Sequence, residues 1–397
     1  MLFTPNASDL CRRDEPLPWL GGLRASEFLR DYWQKKPLLV RAAFPALAEL
    51  ISFQELLQLA EEDSLESRVI SGPDARGNWQ LKDGPFPPVT WRKKGKSNWT
   101  VLVQAVDHVL PTLADLLEHF AFVPEWRIDD VMVSGAVSGG SVGPHSDQYD
   151  VFLLQGPGTR HWQLGQQVGR DEALQADQPL RLLANFQQSF EATVEVGDLL
   201  YVPPGLAHHG VATSDCLTYS VGFRAPAVPR LLDALAEQLL SIDAHEPLLA
   251  DPNRGVCQHS VSLTQRDTEA MHGAMLAWLQ QPEHMALAMA PSLSEAKYAD
   301  YEPEGEDCSL DELRAALADG IELIRDPASR WLWLPEAKQL WRNGQCVVIP
   351  AEVIDHLPAL LANRRLRQAQ LTTLPEPVLR WLADDISAGF WLAVEAA

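Results

Sequence analysis

Cysteine is the first thing this chain has little of. Its five cysteines (Cys11, Cys216, Cys257, Cys308 and Cys346) are odd in number, far apart and never in a Cys-x-x-Cys pair. That argues against a disulfide framework and a structural zinc site, and it fits a reducing, cytoplasmic setting. No apolar run approaches the roughly 18 to 20 residues that span a bilayer. The first residues, Met1 to Ala7, lack the basic stretch and apolar core of a secretory leader, so none is expected. Internal repeats and low-complexity tracts are also absent. Positive charge is short: 32 Lys and Arg face 54 Asp and Glu, a net −22. The shortage is uneven. Residues 1–100 hold 14 Lys and Arg against 13 Asp and Glu, whereas residues 101–397 hold 18 against 41. A field of that sign repels nucleic-acid phosphates and attracts basic proteins, although an acidic surface also serves solubility alone.

What is present is a soluble globular composition, 46% hydrophobic and 22% charged over 397 residues, enough for two or three domains. Residues 1–100 read as a mixed α/β region: helical spacing over Ala25 to Trp33 and Phe53 to Ala60, a short strand at Leu38 to Val40, and a loop over Gly72 to Lys96. From Trp126 the period becomes two. Val131, Val133 and Val137 share one parity, and short strands follow at Asp150 to Leu154, Arg160 to Leu164, Ala192 to Val196, Asp198 to Val202 and Tyr219 to Phe223. Short strands punctuated by Gly and Pro predict a barrel or double-sheet jelly roll over 101–226. Helical patterning takes over at 227–300, with an apolar stripe from Leu231 to Leu240 and a helix at Asp267 to Leu279. A last unit, 301–397, opens with a charged linker and a capping box at Ser309 to Glu312. A hairpin at Asn343-Gly344 and helices near Glu352 to Ala362 and Pro377 to Ile386 follow.

The residues that carry chemistry sit in the β region. His145 and Asp147 stand two apart, which puts both side chains on one face of a strand. They follow a turn, Gly139 to Pro144. His208 and His209 compete for the third position, because adjacent strand residues cannot both point inward. The spacing Gly197, Pro203, Gly205, His208 matches the second cupin motif, which selects His208 and leaves His209 on the outer face or just behind the site. The first cupin motif is only partly kept: Asp147 replaces its second His, and its Glu is missing. Two imidazoles and one carboxylate on one face of a metal leave the opposite face open, as in non-haem Fe(II) oxygenases. Such enzymes draw electrons from 2-oxoglutarate, whose far carboxylate needs a basic partner deeper in the barrel. Arg160 opens the strand after the Gly156 to Thr159 turn, and its fork suits a carboxylate. Ser134 could add a hydroxyl. Asp129, Asp130 and Asp150 are candidates to hold a cationic substrate, and Gln148 and Tyr149 to line its pocket, with core packing the stronger expectation for Tyr149.

Pro144 to Phe152, Gly156 to Trp162 and Tyr201 to Gly205 resemble the bacterial JmjC (cupin-4) ribosomal oxygenases. So do Phe28 to Val40 and Tyr219 to Pro226, and the likeness covers most of the chain. The resemblance implies an α+β multidomain protein: a JmjC double-stranded β-helix, a helical dimerisation region and a C-terminal winged-helix-like domain. It implies dependence on Fe(II) and 2-oxoglutarate and hydroxylation of an arginine side chain on a large-subunit ribosomal protein of the L-sixteen class. By matching position, His145, Asp147 and His208 become iron ligands, Arg160 the 2-oxoglutarate clamp and Ser134 its helper. The homodimer it implies would meet a basic ribosomal protein. No DNA binding is expected, since residues 309–397 hold 9 Lys and Arg against 12 Asp and Glu. Alternatives are the same chemistry on a ribosomal histidyl or other protein residue, or a non-catalytic cupin adaptor in ribosome assembly.

Overall fold

The structure, a computed structural model, describes residues 7–395 apart from 46, 48–49, 170, 242–247, 251, 253, 255, 257–260 and 281. Cys257, Met1 to Asn6 and the side chains of Leu239 and Leu240 lie outside the described residues. The described chain falls into two compact units, one formed by Met1–Ala225, Tyr301–Ser329 and Asp355–Ala397, the other by Pro226–Asp300 and Arg330–Ile354.

The first unit is built on two facing sheets. The larger contains β1 (Leu38–Val40), β2 (Ser67–Ser71), β3 (Gln80–Asp83), β4 (Trp99–Val103), β5 (Ile128–Ala136), β6 (Val151–Gln155), β9 (Leu199–Val202) and β11 (Cys216–Phe223), in the order β1-β9-β6-β11-β5-β4-β2-β3. The smaller pairs β7 (Arg160–Gln167) with β8 (Phe190–Val194) and β10 (Leu206–Ala212). Residues 1–100 thus supply three strands of the large sheet and the start of a fourth, as well as helices packed on it. Period-two alternation sorts each strand's side chains between two cores. Val131, Val133 and Val221 face the N-terminal helices and join Phe28, Leu56 and Phe120 in one apolar cluster. Val151, Leu153, Trp162, Leu164, Val194, Leu200 and Val202 face the other way and fill the space between the sheets. This second face is where the candidate ligands converge.

Strand β10, which carries His208, has no strong β pattern, since Leu206-Ala-His-His-Gly-Val-Ala mixes small and polar residues. It is a strand because β7 pairs with it from Leu206 to Ala212. The expected loop over Gly72 to Lys96 contains β3 and a helical turn, Val89–Lys93. β3 lies at the sheet edge with most of its residues exposed, which hides its periodicity.

The C-terminal segments of this unit add a helix at Leu310–Ala318, a helix at Glu376–Ser387, and a sheet of β12 (Glu322–Arg325), β16 (Arg365–Leu366) and β17 (Trp391–Val394). The Ser309 capping box is formed in both directions. Glu125, just before β5, receives both Nη groups of Arg325 and the Nε of Arg364, all at 2.9 Å. Arg365 meets Asp115 and Glu322.

The second unit holds helices at Val228–Ser241, Gln265–Leu279 and Pro282–Leu293. It also holds the three-stranded meander β13 (Trp331–Leu334), β14 (Gln339–Arg342) and β15 (Gln345–Val347). Asn343 and Gly344 both have positive φ, as the two-residue turn between β14 and β15 requires. Among the described residues no helix is long and apolar enough to cross a membrane.

Candidate metal and anion site

The segment before β6 runs antiparallel to β10, and the two histidines meet as backbone partners. His145 N–H donates to the His208 carbonyl at 3.0 Å, and His208 N–H returns a bond to the His145 carbonyl at 2.8 Å. This reciprocal pair puts both side chains on one face, with ring centroids 4.2 Å apart. Asp147 is held next to them because its carbonyl accepts from Gly205 N–H at 2.7 Å. Gly205 sits at φ +74, a conformation that Pro-Pro-Gly supplies without strain.

Asp147 Oδ2 lies 3.5 Å from His208 Nε2 and 3.9 Å from His145 Nε2. One ligand atom from each of the three residues falls within 4.8 Å of the others. His145 Nδ1 donates to the Gly143 carbonyl at 2.9 Å and His208 Nδ1 to the Leu206 carbonyl at 3.0 Å. A carbonyl only accepts, so each Nδ1 carries a proton and each Nε2 is the ring nitrogen that faces Asp147. Burial, together with His145, pushes His208 down to about 4 against the pull of Asp147, so its imidazole is neutral at pH 7. Two imidazoles and a carboxylate converging from one side form the two-His-one-carboxylate set of an open octahedral site.

The turn carrying His145 is gripped from outside. A Cβ on Gly143 would stand 2.5 Å from Leu182 and 3.2 Å from the Trp79 indole. Leu182 and Trp79 are both buried. Leu183 N–H bonds the Pro144 carbonyl at 2.9 Å, and Trp79 N–H bonds Gln178 Oε1 at 3.0 Å. The long β7–β8 connection therefore straps the ligand turn down against Trp79.

Deeper between the sheets lies Arg160, 3% exposed, whose Nε has no hydrogen-bond partner. Its Nη2 touches only a thiol, Cys216 Sγ at 3.8 Å, and its guanidinium stands 5.7 Å from the Trp162 ring. A buried cation with an orphaned donor is costly unless an anion completes it. The donor set thus fits a carboxylate. Ala136, Ala212 and Cys216 cluster around this end. Ser134, two residues before Ala136, is buried on the same inward face, opposite Thr218 of β11.

The structure corrects several sequence expectations. Asp150 is fully buried, accepting from the Tyr201 hydroxyl at 2.6 Å and Gln34 Nε2 at 2.9 Å, so it ties residues 1–100 to the barrel instead of facing a substrate. Asp130 is also buried and accepts from Ala105 N–H at 2.7 Å. Its charge adds to burial in pushing neighbouring Asp107 up to about 7. Tyr149, expected in a core, is 42% exposed. Desolvation and the carboxylates of Asp147, Asp130 and Asp129 push its phenol up, which sets it beside the ligand cluster. Asp129 is half-buried and Gln148 exposed. His209 points outward, its ring 6.2 Å from Phe186. Sequence reasoning gave Trp162, Gly210 and Cys216 no role. The alternation Arg160, Trp162, Leu164 was the available signal. The Trp162 indole fills the space a Cβ on Gly210 would need, at 2.6 Å.

Residues 115–231 match the JmjC domain family, and residues 277–391 match the ROXA-like winged helix family. The ribosomal protein uL16 3-hydroxylase of Escherichia coli is 33% identical over 368 residues, covering 92% of this chain and 96% of that protein. An X-ray structure of E. coli YcfD superposes with a TM-score of 0.80 at 32% identity, over 94% of this chain and 98% of that one. The structure of YcfD, a ribosomal oxygenase, in complex with cobalt and 2-oxoglutarate gives 0.77 at 33% identity, over 93% and 97%. Matched along nearly its whole length, this chain belongs to the family of JmjC-domain ribosomal oxygenases.

Proposed function

We propose that this chain is an Fe(II)- and 2-oxoglutarate-dependent hydroxylase that modifies an arginine side chain of the large-subunit ribosomal protein uL16. The observation that carries this reading is the three-ligand cluster of His145, Asp147 and His208 together with the buried guanidinium of Arg160, whose Nε has no hydrogen-bond partner; His208 and Arg160 stand on the paired strands β10 and β7. The similar E. coli protein acts on uL16, and its structure holds cobalt with 2-oxoglutarate.

Iron held by the three residues supplies the chemistry that couples decarboxylation of 2-oxoglutarate, giving succinate and CO2, to insertion of one oxygen atom of O2 into a C–H bond. The chain's own groups do the rest. Arg160 would hold the far carboxylate through its guanidinium fork, an attraction strengthened by its burial. Ser134 adds a hydroxyl from the facing strand. Trp162 stands between His208 and Arg160, its ring 5.9 Å from the His208 ring and 5.7 Å from the Arg160 guanidinium. At the mouth, Asp129 and Tyr149 receive the cationic substrate. The carboxylate-rich surface of residues 101–397 raises the encounter rate with a basic ribosomal protein. Such a substrate places the reaction in the cytoplasm. Exposed Val228, Leu232, Met271 and Met275 on the helices of the second unit support a homodimer formed there, which light scattering would test. In the C-terminal segments Arg325, Arg364 and Arg365 are engaged by carboxylates, which supports a structural module over a DNA-binding one.

The test is a mass comparison of ribosomal proteins from cells with and without the gene. The expected result is a loss of about 16 Da on uL16, localised to an arginine and restored by the wild-type chain but not by His208→Ala. An unchanged uL16 mass would overturn the assignment, and a shift on a histidyl residue would redirect it.

A further inference from the structure

Positive charge in this chain is concentrated where the catalytic reading makes no use of it. Only eight of the 397 residues are lysine, and four of them, Lys82, Lys93, Lys94 and Lys96, fall with Arg92 within fifteen residues; none lies between Lys96 and Lys297. The fold brings Lys82 within electrostatic reach of Lys94, next to the helical turn that carries Arg92 and Lys93. Lys82 lies on edge strand β3, opposite Val69 of β2. Arg92 and Lys93 end the helical turn Val89–Lys93, and Lys94 follows it. Lys94 Nζ reaches across to Ser71 Oγ at 2.7 Å and lies 5.6 Å from the Trp99 ring. Desolvation and the nearby charge of Lys82 hold Lys94 below its ordinary range.

Surface lysines and arginines in an acidic protein ordinarily find carboxylates, as Arg12, Arg30, Arg68 and Arg314 do here. Lys82, Arg92, Lys93 and Lys96 are exposed, and none forms an ion pair or hydrogen bond among the described residues. Four unneutralised cations on β3 and in the segment 92–96, in a chain of net −22, make a local field opposite to the global one. At physiological salt charges beyond about 8 Å are largely screened, so a ligand there feels the patch and not the distant carboxylates. Beside the cations, Trp91 is half-buried and stacked on Trp99, with ring centroids 6.3 Å apart. Trp91 Nε1 donates to Glu61 Oε1 at 2.8 Å, so the indole braces the turn, and the clustered cations suit a flexible phosphodiester backbone, which is held by point charges and needs no bidentate fork.

We propose that the patch formed by Lys82, Arg92, Lys93, Lys94 and Lys96 is a docking surface for single-stranded RNA. This rests on the proposed function in one respect: a ribosomal-protein substrate that arrives bound to ribosomal RNA brings such a strand with it. The patch then lets the enzyme meet its substrate on an RNA-bound particle, while the acidic remainder of the surface discourages RNA elsewhere.

The test measures binding of a fluorescein-labelled single-stranded RNA to the full chain by anisotropy between about 50 and 200 mM salt. Four phosphate contacts predict a slope of log affinity on log salt near −3, from about 0.7 per contact. Arg92→Glu combined with Lys93→Glu and Lys96→Glu is expected to weaken binding at least about tenfold and to leave turnover of an isolated uL16 peptide unchanged. No binding by the wild-type chain at the lowest salt overturns the proposal. So does equal binding by the triple variant, or displacement of the RNA by polyglutamate as readily as by unlabelled RNA, which would assign the patch to an acidic protein. Peptide turnover measured on the same samples separates a failed docking surface from a failed hydroxylase assignment.

Discussion

Gly143→Ala is the most revealing single change near the ligands, because it displaces His145 without altering any ligand. Gly143 sits at φ +79, where an L side chain costs roughly 1–2 kcal/mol. Its new Cβ would also stand 2.5 Å from Leu182 Cδ2. Forcing a methyl into such a packed contact costs about 1–3 kcal/mol. The turn cannot simply swing away, since Leu183 N–H holds the Pro144 carbonyl. The Gly143 carbonyl that orients His145 Nδ1 must therefore move. Losing a partner that orients a ligand typically weakens metal binding about 10- to 100-fold. Cobalt(II) titration followed by visible absorption reads the affinity, and thermal melting of the metal-free protein reads the stability. Adding Leu182→Ala relieves the crowding but not the backbone cost, so the double variant should recover part of the lost cobalt affinity while melting lower still. Should Gly143→Ala melt early yet bind cobalt within about twofold of wild type, the strap over this turn has no part in aiming His145.

Three further outcomes follow from groups away from the metal. Asp150→Ala strands the Tyr201 hydroxyl and the Gln34 amide and should cost about 1–3 kcal/mol in urea unfolding, with hydroxylation of peptide changed little; a selective collapse of substrate affinity would return Asp150 to the binding site. Glu125→Ala leaves Arg325 and Arg364 facing each other and should cost about 3 kcal/mol. Burial raises the Glu125 carboxyl, but the two arginines outweigh it and hold the group at about 2. Its contribution is therefore complete above pH 4.5 and lost as pH falls toward 2, and an acid titration of stability should be shallower in the variant. His119, 1% exposed, is pushed by burial down to about 4. The unfolded chain binds its proton first, so stability should fall by roughly 3 kcal/mol as pH drops from 6.5 to 4. His119→Phe should flatten that segment of the profile; an unchanged slope would mean that another group titrates there.

The ligand set was legible in the sequence because it depends on local spacing: one residue separates His145 from Asp147, and Pro203 and Gly205 fix the entry to the strand that bears His208. Arg160 was singled out for the same reason, at the start of the strand after the Gly156 to Thr159 turn, and that turn passes from one sheet to the other, since β6 and β7 do not pair. What escaped was non-local. Asp150 reads as a solvent-facing acid until Tyr201 and Gln34, 51 and 116 residues away, close over it. Strand β10 becomes a strand only through β7. The sheet of β12, β16 and β17 joins pieces of two to four residues from three places in the C-terminal segments, too short to show a period. The strap over Gly143 is carried by Leu182, an ordinary apolar residue in a loop, and nothing in its neighbours announces what it touches.

The mutual backbone bonds between His145 and His208 have a consequence for how this protein handles metal. Two ligands are locked in place by main-chain bonds in which no metal ion takes part. Loading therefore needs no refolding, in contrast to small zinc modules whose scaffold collapses without its ion. A chelator should empty the centre with the far-ultraviolet spectrum intact, and a different divalent ion should refill it at once.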